Sequence, residues 1–120
     1  MSSPESMTRT LAPPDVEKEK LDELAPLFNV VLLDDDDHTY EYVIDMLQKL
    51  FLMSEVDAFR RAVEVDTVGR TIVITCGLGE AEFGRDQIHG FGPDWRMPQC
   101  RGSMRALVEP ASSGPRLGDN

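Results

Sequence analysis

The spacing of apolar and polar residues along the chain predicts its secondary structure. The apolar stretch at 28–33 has the length and composition of a buried strand. After an acidic turn, apolar residues recur with helical spacing, which predicts a first helix over about 39–52. The apolar residues of that repeat are Val43, Ile44, Leu47, Leu50 and Phe51.

A second helix is predicted over about 55–66. Ser54 and Asp57 have the spacing of a capping box, and Gly69 follows at a position suited to ending the helix. The apolar residues assigned to its inner side are Phe59, Ala62 and Val63. A second strand, 71–75, follows directly.

The remaining elements are a third helix and a last strand. The segment 79–91 places Ala81, Ile88 and Phe91 on one helical face, although Gly84 and Gly90 each weaken a helix by roughly 1 kcal/mol. In the segment 103–109 apolar and exposed positions alternate as in a strand. The inward residues there are Met104, Ala106 and Val108, and Arg105 and Leu107 alternate with them. The predicted order is β-α-α-β-α-β.

The two ends of the chain lack apolar periodicity. Residues 1–26 mix Ser, Thr, Pro and charged residues, and residues 110–120 are rich in Pro, Ser and Gly. Both are expected to be flexible, which leaves one core domain at 27–109. A domain of this size has room for only a modest core.

Composition narrows the class of protein. The formal net charge is −10 and Lys and Arg form no cluster, which argues against a nucleic-acid partner and favours cationic ones. The apolar run Val30–Leu33 is far too short to span a membrane. Two cysteines and no signal-peptide pattern indicate a cytoplasmic protein with free thiols.

Four consecutive carboxylates, Asp34–Asp37, lie between the first strand and the first helix. Negative charge beside apolar side chains suits a ligand with one positive charge and one apolar group. The spacing lacks the glycine and closing glutamate of a calcium loop. A solvated turn with a helix N-cap explains the same residues, so the pattern alone leaves both interpretations open.

No set of residues indicates catalysis or a metal centre. The chain has no second acidic cluster, no Ser/His/Asp set and no phosphate-binding loop. His38 is interpreted as a surface residue, and His89 as a favourable charge at a helix C-terminus. Cys76, His89 and Cys100 lack the close spacing of zinc ligands. We therefore expect no enzymatic activity, no metal and no cofactor.

Two segments resemble a known family. Residues 41–51 read Glu-Tyr-Val-Ile-Asp-Met-Leu-Gln-Lys-Leu-Phe, and residues 62–70 read Ala-Val-Glu-Val-Asp-Thr-Val-Gly-Arg. With the preceding acidic turn, they resemble the ClpS adaptor family over about residues 28–109. The resemblance implies an α+β domain with three helices on a three-stranded antiparallel sheet.

The resemblance also implies a function. Members are non-enzymatic, monomeric adaptors whose pocket between the first two helices binds an N-terminal Phe, Tyr, Trp or Leu, an N-degron. They deliver such substrates to an AAA+ unfoldase of the ClpA or ClpC type for degradation by ClpP. An N-terminal aromatic residue joins a cation to an apolar side chain, which agrees with the acidic turn.

Carried over position by position, the resemblance assigns four groups of residues. The amino-group site is Asp34, Asp35 and Asp66; the hydrophobic pocket is Tyr40, Val43, Ala62, Val65 and Met104. The turn and helix cap are Asp36, His38 and Thr39; a possible unfoldase contact is Glu80, Glu82 and Arg85. Many members have Asn at Asp34 and Met at Tyr40 and Ala62, and proteobacterial members have His at Asp66.

Two other classes compete with the adaptor. The C-terminal domain of the ribosomal stalk protein has a similar fold but is expected to lack the acidic turn. A small metal-dependent enzyme would require Asp34–His38 to bind a metal tightly. The loop 92–102, which contains Trp95, is longer than in the short members and receives no role from the sequence.

Overall fold

The computed structural model describes residues 25–111, and its elements follow the predicted order. The strands are β1 (Phe28–Leu33), β2 (Arg70–Cys76) and β3 (Ala106–Pro110). The helices are α1 (Tyr40–Phe51), α2 (Glu55–Val68) and α3 (Leu78–His89). The expected flexible extension and tail lie outside the described residues, apart from their innermost positions, and both stay predictions.

The three strands form one antiparallel sheet in the order β2-β1-β3. The central strand β1 supplies Val30 and Leu32 to the core, and both are fully buried. The helices add Met46, Leu47 and Ile88, which are also fully buried. The predicted α+β fold, with three helices packed on a three-stranded antiparallel sheet, is confirmed. Within residues 25–111, no helix is both long and apolar enough to cross a membrane.

The ends of α1 and α2 are set by local capping. The Ser54 hydroxyl accepts a hydrogen bond from the Asp57 backbone N–H at 3.1 Å, which confirms the cap predicted for α2. Gly69 ends that helix in the left-handed region, with φ of 102°, where glycine is favoured. The N-cap of α1 is Thr39, whose hydroxyl accepts from the Tyr42 N–H at 3.1 Å.

The prediction for the inner face of α2 was wrong at Phe59. The helix packs through Ala58, Ala62 and Val65, which are spaced by four and three residues and so share one face. Phe59 lies one position farther round and is 49% exposed. Its ring meets the Tyr40 ring edge-on, with centroids 6.2 Å apart.

Gly84 has a packing role beyond its cost to helix propensity. A Cβ at this position would lie 3.2 Å from a ring carbon of Phe51. The missing side chain therefore lets α3 lie close against the end of α1.

The last strand begins at Ala106, three residues later than predicted. Its pairing with β1 stops at Leu32 and Ala106, and beyond that point the Arg105 carbonyl accepts one hydrogen bond from Leu33 N–H at 3.0 Å. Met104 therefore precedes β3 instead of belonging to it, although its side chain is buried as expected.

Candidate functional site

A narrow cavity lies between the start of α1 and the face of α2. It is lined by every residue that the resemblance assigned to the amino-group site and the hydrophobic pocket: Asp34, Asp35, Asp66, Tyr40, Val43, Ala62, Val65 and Met104. His38 and Thr39 complete the lining. Residues up to seventy positions apart in the chain therefore surround one space.

The chain brings two acidic segments together at this cavity. The acidic turn follows β1, and the Asp34 backbone N–H donates to the Gly69 carbonyl at 3.0 Å. Because Gly69 is the residue that ends α2, this hydrogen bond places the turn beside the last turn of that helix, where Asp66 lies. Asp34, Asp35 and Asp66 consequently line the same cavity.

The floor of the cavity is apolar. Val43 comes from α1, Ala62 and Val65 come from α2, and Met104 comes from the segment before β3. All four are almost fully buried. The cavity volume is about 40 Å³, which is room for roughly three water molecules at about 10–15 Å³ each. An apolar group that enters the cavity would contact apolar side chains on several sides.

The acidic side of the cavity is crowded with negative charge. Burial raises the pKa of Asp34 above its ordinary value of 3.8, and the neighbouring carboxylates of Asp66, Asp35 and Asp36 raise it further. A hydrogen bond from the Asp35 backbone acts in the opposite direction without cancelling the rise. A cation placed among these carboxylates would relieve their repulsion.

Tyr40 and Asp66 close the mouth of the cavity. The Tyr40 hydroxyl donates to an Asp66 carboxylate oxygen at 2.6 Å, which joins the first turn of α1 to the last turn of α2. This hydrogen bond is the main reason that the pKa of Tyr40 is raised. Both residues are exposed, so the contact is open to competition from solvent or a ligand.

The turn before α1 differs from the sequence interpretation at His38. The N-cap of α1 is Thr39, which was assigned to the turn and cap together with Asp36 and His38. The interpretation of His38 as a surface residue was wrong, because its side chain is only 4% exposed. Asp36 lies at the exposed tip of the turn.

Asp94 received no role from the sequence pattern, but its side chain is fully buried in the loop that follows α3. One of its carboxylate oxygens accepts from the Thr39 N–H at 2.7 Å and from the Thr39 hydroxyl at 2.8 Å. The other accepts from the Arg96 backbone and guanidinium, each at 3.0 Å. Burial alone would raise the pKa of Asp94, but these hydrogen bonds outweigh it and lower the pKa to about 2.

The residues assigned to an unfoldase contact lie elsewhere on the molecule. Glu80, Glu82 and Arg85 all belong to the first two turns of α3, and none of them lines the cavity. Glu80 borders a separate hollow of about 240 Å³ whose other walls include Phe51 and Phe83. The structure thus keeps the two candidate surfaces apart.

Two of the three residues weighed as zinc ligands, Cys100 and His89, have other partners. The Cys100 sulfur lies 3.3 Å from His38 Nε2, and His89 Nε2 lies 3.1 Å from the Ala106 backbone N–H. In the part of the chain that the structure describes, no three His, Cys, Asp or Glu side chains are grouped as metal ligands.

Known proteins resemble the chain in both sequence and structure. The family model described as ATP-dependent Clp protease adaptor protein ClpS matches residues 23–95. The ClpS adapter of Alkalilimnicola ehrlichii is 30% identical over 98 residues, which cover 82% of this chain and 83% of that protein. The ClpS adapter of a Synechococcus species is 34% identical over 70 residues, covering 58% and 77%.

A solved structure agrees with these relatives. The structure of Agrobacterium tumefaciens ClpS2 bound to L-phenylalaninamide superposes with a TM-score of 0.62 at 26% identity. The superposition covers 72% of this chain and 98% of that one. Since the family model matches more than half of the chain and the relatives share its fold, the chain belongs to the ClpS family of Clp protease adaptor proteins.

Proposed function

We propose that the chain binds proteins through an N-terminal bulky hydrophobic residue and delivers them to a Clp AAA+ unfoldase for degradation. The observation that carries the proposal is the cavity, which has an apolar floor and carboxylates on one side. An N-terminal Phe, Tyr, Trp or Leu presents an ammonium group one bond away from the carbon that bears an apolar side chain. The two halves of the cavity match these two groups.

The bound ligand of the Agrobacterium relative supports this assignment. L-Phenylalaninamide has a free ammonium, a benzyl side chain and an amide in place of a following peptide bond. It therefore has the chemistry of a protein that begins with Phe. In this chain, Asp34, Asp35 and Asp66 would receive the ammonium, and Val43, Ala62, Val65 and Met104 would surround the ring.

Entry of a ring requires the mouth to open. A benzyl group is larger than the cavity of about 40 Å³, so the lining has to move, and we expect the exposed Tyr40 ring to swing outward and release Asp66. The released carboxylate then becomes available to the ammonium, which compensates for the lost hydrogen bond. Tyr40 stays at the rim, where its ring can contact an aromatic ligand edge-on.

Binding of peptides that differ only in their first residue tests the proposal. Burial of a Phe side chain contributes roughly 1.5–3 kcal/mol, so a Phe-initiated peptide should bind at least about tenfold more tightly than a Ser-initiated one. Phe and Trp should also exceed Leu, because an edge-on aromatic contact adds roughly 0.5–1.5 kcal/mol.

Fluorescence anisotropy with a labelled peptide and unlabelled competitors measures these differences directly. An Arg-initiated peptide is the control for charge, because it keeps the ammonium, adds a second positive charge and lacks the apolar group. Equal competition by the Phe, Leu, Arg and Ser peptides would overturn the proposal.

Delivery to the protease would use a different surface. We assign the unfoldase contact to the first two turns of α3, with Glu80, Glu82 and Arg85, because these residues are away from the cavity and leave a bound substrate accessible. The partner is a ClpA or ClpC type unfoldase working with ClpP, and the adaptor acts in the cytoplasm as a monomer. The family name states the Clp protease connection.

A further inference from the structure

His38 lies at the junction between the acidic turn and the loop 92–102. It lines the cavity, its side chain is only 4% exposed, and it is not the helix cap. A buried histidine beside a carboxylate that faces a cavity requires an explanation, because burial of a polar ring is costly unless its nitrogens are hydrogen-bonded.

One ring nitrogen of His38 holds Asp35. His38 Nδ1 lies 2.8 Å from one oxygen of the Asp35 carboxylate and 2.9 Å from the other. The Asp37 backbone N–H donates to the first of these oxygens at 2.9 Å. A carboxylate can accept about four hydrogen bonds, so capacity remains on the side that faces the cavity. These contacts fix the plane of the carboxylate and leave its oxygens able to accept further hydrogen bonds.

The other ring nitrogen holds the loop. His38 Nε2 lies 2.8 Å from the Gly102 carbonyl oxygen and 3.3 Å from the Cys100 sulfur. The ring also packs on the Tyr42 ring, with centroids 4.5 Å apart. Rotation of the imidazole about its side-chain bonds would break the contacts at both nitrogens. The ring therefore has one orientation, set by a loop more than sixty residues farther along the chain.

We propose that His38 is the positioning residue of the amino-group site, which holds the Asp35 carboxylate in the orientation that receives a substrate's ammonium. The inference rests on the proposed function and adds a role for the loop 92–102. The loop supports the site through Gly102 and Cys100, which contact His38, and through Asp94, which supports the neighbouring Thr39. The loop itself would contribute no group to the ligand.

Two substitutions separate the contacts of His38. In His38→Asn the amide nitrogen takes the place of Nδ1 and can still donate to Asp35. In His38→Gln the amide nitrogen takes the place of Nε2 and can reach Gly102 but not Asp35. We expect His38→Asn to bind a Phe-initiated peptide within about threefold of the parent, and His38→Gln to lose roughly tenfold, the cost of one charge-assisted hydrogen bond.

A double-mutant cycle distinguishes positioning from general support of the fold. Asp35→Asn, His38→Gln and the double variant are compared in peptide affinity and in thermal unfolding. If His38 acts through Asp35, His38→Gln lowers the peptide affinity by less than about twofold in a protein that already carries Asp35→Asn. His89→Gln is the matched control, because that histidine contacts the Ala106 backbone and lies outside the cavity.

The outcomes are distinct. Two outcomes would overturn the positioning role if the parent binds the peptide. The first is full additivity of the two substitutions. The second is parental affinity of a folded His38→Gln variant. If the parent itself failed to bind the Phe-initiated peptide, the proposed function would fall first. If the His38→Gln variant unfolds, His38→Asn is tested alone, and a folded His38→Asn variant that loses about tenfold or more in peptide affinity would overturn the positioning role.

Discussion

Replacing Asp35 with alanine is expected to lower the affinity for a Phe-initiated peptide by about tenfold to a hundredfold. A charge-assisted hydrogen bond contributes roughly 1.5–3 kcal/mol, and loss of one carboxylate from the amino-group site removes at least one of them. The substitution also leaves His38 Nδ1 without its acceptor inside the fold. Isothermal titration calorimetry or anisotropy gives the affinity, and circular dichroism reports whether the variant is folded.

Asp36→Ala is the matched control for this prediction. It removes the same charge from the next residue, which is exposed at the tip of the turn and does not line the cavity. Its affinity should stay within about threefold of the parent, because exposed charges at longer range are screened by salt. An Asp36→Ala variant that lost as much affinity as Asp35→Ala would show that overall charge, and not this carboxylate, determines binding.

Replacing Asp94 with alanine should destabilise the fold by about 3 kcal/mol. The buried carboxylate accepts hydrogen bonds from Thr39 and Arg96, and its removal leaves those donors without partners at the start of α1. For a domain of this size, a loss of about 3 kcal/mol lowers Tm by roughly 12–24 °C. Chemical and thermal unfolding followed by circular dichroism measure both quantities.

The pH dependence of unfolding gives a second test of Asp94. Its pKa is lowered from 3.8 to about 2 in the fold, so its ionised form adds about 2 kcal/mol of stability above pH 3.8. That contribution is lost as the pH falls through about 2. The stability difference between the parent and Asp94→Ala should therefore shrink between pH 4 and pH 2.

Asp86→Ala is the corresponding surface control. Asp86 pairs with the adjacent Arg85 at 3.1 Å, and its side chain is 65% exposed. Its removal should change stability by less than about 0.5 kcal/mol. Equal destabilisation by the two substitutions would contradict the role given to the buried carboxylate.

The elements of this fold were predictable because their signals are local. The apolar repeat of α1, the Ser54 cap and Gly69 each depend on residues within a few positions of one another. Phe59 was assigned to the wrong side of α2, because the contact face of that helix is formed mainly by small residues at helical spacing. The late start of β3 depends on where its partner strand ends, which no local pattern records.

The residues that line the cavity were predictable from the sequence, but the residues that support them were not. The cavity residues follow from segments that resemble the family, including the acidic turn and the Asp66 region. The supporting network around His38 did not follow, because Asp94 and Gly102 contact residues more than fifty positions away. An aspartate in a loop gives no sign that it will be buried beneath the N-terminus of a distant helix.

In the proposed function, the cavity recognises a free α-amino group together with an apolar side chain. The most direct measurement compares one Phe-initiated peptide with the same peptide acetylated at its α-amino group. Acetylation removes the positive charge and leaves the carboxylates without a partner, so the acetylated peptide should bind at least about a hundredfold more weakly. Affinities within twofold of each other would contradict the claim.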